Sequence, residues 1–74
     1  MLAMEAVKEI MRMKDIHPSE LYNKLGIKSN VYSSRMKQQN VSIAVLNEMV
    51  TPIGYKILLV PDLTPVPEKS FQIE

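Results

Sequence analysis

The chain contains no cysteine. Disulfides are therefore excluded, and cysteine usage gives no sign of the redox compartment. It has a single histidine, His17, and one imidazole with no thiolate beside it cannot make a zinc site. There are only two glycines, Gly26 and Gly54, so no glycine-rich phosphate loop exists. The carboxylates are scattered, and Asp15, Glu20 and Glu48 read as solvated charges. These gaps remove the parts of the common catalytic sites, so the expectation is a chain that is not an enzyme and carries no cofactor or metal. No apolar run approaches the ~18 residues of a membrane span. Glu5 and Glu9 stand where a signal peptide would be basic and then apolar. A cytoplasmic protein with no membrane contact is expected.

What is present is a 74-residue chain, 46% hydrophobic and 23% charged, which reads as one globular domain. A domain of this length buries only ~60% of its unfolded surface. Small domains gain stability from disulfides, metals or oligomerisation. With the first two excluded, oligomerisation remains. The net charge is +1, but it is unevenly placed. From Leu21 to Asn47 the bases Lys24, Lys28, Arg35 and Lys37 meet no acid. A positive field focused on one segment attracts polyanions. The competing reading is a solvated face that lacks acids by chance.

Hydrophobic periodicity predicts four helices. Ala3, Val7, Ile10 and Met11 form the stripe of the first, over about 3–13. Pro18 suits the first position of the second, over 18–25, with His17 as N-cap and Glu20 near the positive end of the helix dipole. Leu21 and Leu25 face inward, and Gly26 closes the helix in the left-handed region. A third helix runs from Ser29, its expected cap, to Lys37, with Val31, Tyr32 and Met36 inward and about two-thirds of its girth polar. Ser42 caps a fourth that buries Val45, Leu46, Met49, Val50 and Ile53 and ends near residue 50, before Pro52. Beyond Gly54 the period changes. YKILLV (55–60) predicts a strand apolar on both faces, PDLTPVPE an extended linker, and KSFQIE (69–74) a second strand paired with the first.

Two short helices joined at a glycine, the second polar and basic, form the pattern of a helix-turn-helix, whose second helix lies in the major groove. Short polar side chains let the backbone approach the duplex, and Asn or Gln can grip an adenine edge. The stretch ELYNKLGIKSNVYSSRMKQQNVSIAVLNEMV resembles the phage-repressor and Cro type of helix-turn-helix, the lambda-repressor-like fold, over residues 4–54. The carrying features are Leu21, Leu25-Gly26-Ile27, Tyr32 and Met36, and the Asn-Val-Ser run at 40–42. Gly54-Tyr55-Lys56 with ILLVP, and the VPE…F-x-I tail, are similar to small phage-borne and mobile-element members. The resemblance implies a mainly α, four-helix fold, DNA binding and dimerisation. It puts base-reading positions at Ser29, Asn30, Ser33 and Ser34, and phosphate contacts at Lys37 and Asn40. Lys28 and Arg35 are added to the phosphate set from charge and helix position. Pro18 replaces a polar residue that often donates to phosphate, Lys28 stands where Ser commonly caps, and Arg35 fills a slot often apolar. Arg35 can therefore lean to DNA or lie along the core.

The resulting expectation divides the chain into a DNA-binding unit, 1–54, and a two-strand β extension, 55–74. The extension would join two copies through Tyr55, Ile57, Leu58, Leu59, Val60, Phe71 and Ile73, or else form a hairpin within one chain. The function expected is a homodimeric repressor of a phage or mobile-element operator, with double-stranded DNA as partner and no small-molecule effector. The alternative is a protein-interaction module on the same fold, such as an antitoxin-like partner or an inhibitor of a host defence enzyme. At single residues, Asn30 could instead satisfy its helix N-terminus, Ser33 and Ser34 could simply face solvent, and Tyr32 could be core. The methionines at 4, 11, 13, 36 and 49 read as core filling or surface.

Overall fold

The first helix, α1 (Ala3–Lys14), begins where the Glu5 carboxylate accepts the Leu2 N–H at 2.7 Å. A computed structural model describes residues 1–73 of the chain. α1 buries the predicted stripe and widens it with Met4 and Ala6. α2 (Pro18–Leu25) is held at its start by His17 as expected: Nδ1 accepts the Ser19 N–H at 3.3 Å, and the Glu20 carboxylate accepts the His17 N–H. α3 spans Ser29–Met36 and α4 spans Ile43–Val50. The Ser42 hydroxyl accepts the Val45 N–H at 3.1 Å, which fixes the start of α4. A short 3₁₀ turn, Thr51–Ile53, carries the chain past Pro52.

Three of these segments end in the same way. Asp15 (φ 55°), Gly26 (φ 68°) and Gly54 (φ 85°) each take the left-handed conformation. The next residue then bonds back into the preceding helix: Ile16 to Met11, Ile27 to Tyr22, and Tyr55 to Val50. This pattern satisfies carbonyls that the helix end leaves open, and it drops an apolar side chain beside the last turn. Ile16 and Tyr55 accordingly pack against the core.

That core consists of Met4, Val7, Ile10, Met11, Leu21, Met49, Val50 and Ile53. Full burial of an aliphatic side chain of this kind contributes roughly 1.5–3 kcal/mol. α1, α2, α4 and the 3₁₀ turn supply all of it, and α3 supplies no buried residue. Among the described residues no helix is long and apolar enough to cross a membrane.

Two expectations fail here. Ser29 does not cap α3. Lys28 occupies the cap position, and Ser29 is the first helical residue. A lysine has no acceptor, so no side chain closes that end. The β extension is also absent: no strand forms among the described residues, and Glu74, the last residue of the expected second strand, lies outside them. Only part of each expected strand is diverted, its first amide or the one after it, and the linker between them turns back on itself. The Tyr55 N–H bonds to Val50, the Ser70 N–H to Pro67, and the Thr64 N–H to Pro61. Prolines 61, 65 and 67 have no N–H to offer. Residues 55–73 instead form an irregular arm. It returns to the domain at Phe71, whose ring lies 6.1 Å from that of Tyr55. The Tyr55 hydroxyl donates to the Lys69 carbonyl at 2.8 Å, and the Met1 amino group donates to the Gln72 carbonyl at 3.3 Å.

Candidate nucleic-acid interface

α2 and α3 are joined by Gly26, Ile27 and Lys28, and the left-handed glycine sets the angle at which the second helix leaves the first. α2 is fixed from below by Leu21, which is fully buried. α3 is fixed more lightly. Its two half-buried apolar residues, Tyr32 and Met36, are four apart and lie on one line along the helix. The Tyr32 ring stands 5.7 Å from that of Tyr22 on α2. Its hydroxyl donates to the Met11 sulfur at 3.6 Å. Burial pushes the Tyr32 phenol above its ordinary range. Of the two readings of Tyr32, the structure places the ring on the core side.

Val31, expected to face inward, is 39% exposed. Neighbouring helical positions differ by about 100°, so a helix seated on Tyr32 and Met36 turns Val31 outward. Ser29, Asn30, Ser33 and Ser34 are all exposed. They occupy positions 1, 2, 5 and 6 of α3 and present a surface of short hydrogen-bonding groups. Lys28 and Lys37 are exposed at the two ends of the helix, Lys24 at the end of α2, and Asn40 in the connection that follows.

Arg35 is placed differently. Its side chain is 19% exposed, and Nη1 lies 3.0 Å from a Glu48 carboxylate oxygen and 3.7 Å from the Met49 sulfur. It thus lies along the core and ties α3 to α4. Glu48 is half exposed and ion-paired, so it is more than a solvated charge. The partnership spans 13 positions and left no local signal in the sequence. Among the described residues, Lys24, Lys28 and Lys37 of the acid-free segment form no ion pair.

The residues expected to join two copies separate into two groups. Tyr55 and Phe71 are half-buried against their own domain. Ile57, Leu58, Leu59, Val60 and Ile73 are exposed, and so are Leu63 and Val66 of the arm. Sequence reasoning missed Ile43, which begins α4 and is 73% exposed. With Ala44 and Asn47 it lines an open apolar groove against Ile57, Leu58 and Leu59. Six apolar residues in the eight of α4 were the available signal, since a helix apolar nearly all round has a second surface to cover. No family model, curated protein or solved structure matches this chain significantly.

Proposed function

We propose that the chain is a sequence-specific DNA-binding regulator that works as a homodimer, with α3 as the helix that enters the major groove. The observation that carries this reading is the construction of α3. It buries nothing fully, carries no acid, turns Ser29, Asn30, Ser33 and Ser34 to solvent, and has lysines at both ends. A helix whose polar face serves only hydration gains nothing from the absence of acids over 27 residues, Leu21 to Asn47. A duplex surface does favour that absence, because each carboxylate facing phosphate is repelled. The uncapped amides at the start of α3 suit a phosphate oxygen. The resemblance to the repressor and Cro family points the same way. Regulation would follow from occupying a promoter, as a repressor of a phage or mobile-element operator.

Binding to random and selected duplexes across a salt series tests the reading. Affinity should fall with log salt by about 0.9 per phosphate engaged. Lys28→Ala and Lys37→Ala should each weaken all sequences alike and flatten that slope by about one. Asn30→Ala should relax sequence preference by ~1–3 kcal/mol at one base position. Equal losses on selected and random DNA would remove Asn30 from the base-reading set. Absent or salt-independent binding would favour the second reading, a protein-interaction module. That reading draws its support from the exposed apolar arm.

A further inference from the structure

The reading above requires two copies and leaves open where they meet. We infer that the outer face of α4 together with arm residues 57–60 is the surface on which two copies of this chain pair, each presenting the same face. The inference rests on the homodimer of the proposed function but not on the identity of what α3 binds.

Three features of the face argue for a second copy. The first is area. Ile43, Ile57, Leu58, Leu59 and Val60 expose on the order of 500 Å² of apolar surface, which is the apolar share of a standard interface of roughly 800 Å² per partner. The second is charge. The groove is lined by Ile43, Ala44, Asn47, Ile57, Leu58 and Leu59, none of them charged. In a two-fold pairing every residue near the axis meets a copy of itself, so a like charge there would be buried against its own sign. The third is economy of elements. α4 already covers the core with Met49 and Val50, and its Glu48 holds Arg35, so Ile43, Ala44 and Asn47 are left as a separate face. Ala44 is small enough to let two backbones approach. Leu59, 96% exposed, is the most exposed of the apolar lining residues. This pairing replaces the expected strand pairing and leaves Tyr55 and Phe71 where they are, in each chain's own core.

The test uses the full chain. Sedimentation should give a two-chain mass for the unsubstituted protein. Ile43→Glu and Leu59→Glu should each give a one-chain mass with an unchanged helical spectrum, since both positions are exposed and a glutamate suits the start of α4. Ile73→Glu, outside the groove, should keep the two-chain mass. Because the chain has no cysteine, Leu59→Cys should form a covalent dimer on mild oxidation, whereas Lys8→Cys on α1 should not. A one-chain mass for the unsubstituted protein, or a pair that survives both glutamates, overturns the inference. The one-chain variants should still bind random duplex with an undiminished salt slope per chain. A two-chain mass that survives both glutamates, with the salt slope intact, would count against this interface alone. A two-chain mass without salt-dependent DNA binding would count against the proposed function alone.

Discussion

Gly26 and Gly54 share a left-handed backbone but not an environment. A Cβ on Gly26 would meet nothing within 4 Å, whereas one on Gly54 would lie 2.7 Å from Lys14 Nζ. That ammonium donates to the Ile53 carbonyl at 2.7 Å and sits 5.3 Å from the centre of the Tyr55 ring. Gly26→Ala should therefore cost about 1–2 kcal/mol from backbone strain alone. Gly54→Ala should cost about 1 kcal/mol more, because Lys14 must leave its carbonyl. Urea midpoints of the two variants check the order, and in a Lys14→Met background the difference should vanish. Tyr32 gives a pH prediction at the same scale. Its raised phenol favours the protonated form in the folded state. The stability this confers is complete below the ordinary phenol value of 10.0 and is lost as pH rises through the higher folded-state value. Melting temperatures from about pH 9 to about pH 11 should fall less for Tyr32→Phe than for the unsubstituted protein. Both glycine turns were legible in the sequence. The third turn, at Asp15, was not, because aspartate tolerates that conformation without advertising it.

At the level of elements, α3 and α4 are coupled through Arg35 and Glu48. Glu48 is the nearest acid in sequence after the acid-free segment, and it neutralises one of that segment's four cations. Glu48→Ala should release Arg35, tighten binding to random duplex at low salt and steepen the salt slope by about one. The stability change should stay within about 1 kcal/mol, since the glutamate is half exposed. Unaltered binding would show that Arg35 stays along the core without its partner. All four helices were readable in advance, most sharply where proline and cap agreed with the apolar period: α2 falls on 18–25, and α4 starts after Ser42, whereas the cap and one inward residue of α3 were misread. The strands were misread because YKILLV satisfies strand composition while composition says nothing about partners. A strand exists only when another backbone supplies its hydrogen bonds. The exposure of Ser29, Asn30, Ser33 and Ser34 was legible because short polar residues need no partner within the chain. The Arg35 pairing and the α4 groove depend on contacts across the fold, and sequence spacing does not encode them.

On the scale of the whole molecule, the arm divides into an anchored end and a free middle. Phe71 and Tyr55 pin residues 69–72 to the domain, while 57–66 contribute the exposed leucines. Phe71→Ala should lower stability by about 2 kcal/mol, less than the ~3–5 of a fully buried phenylalanine. Leu59→Ala should change the stability of a single chain by no more than about 0.5 kcal/mol. Thermal melts of both variants, with Leu59→Ala read in an Ile43→Glu background, separate core from contact surface. The domain measures 39 × 24 × 16 Å. The separation of anchoring from display in α3 has a practical corollary. Residues 29, 30, 33 and 34 could be randomised together without rebuilding the interior, so that, on the proposed reading, one scaffold could be reselected against other duplex sequences.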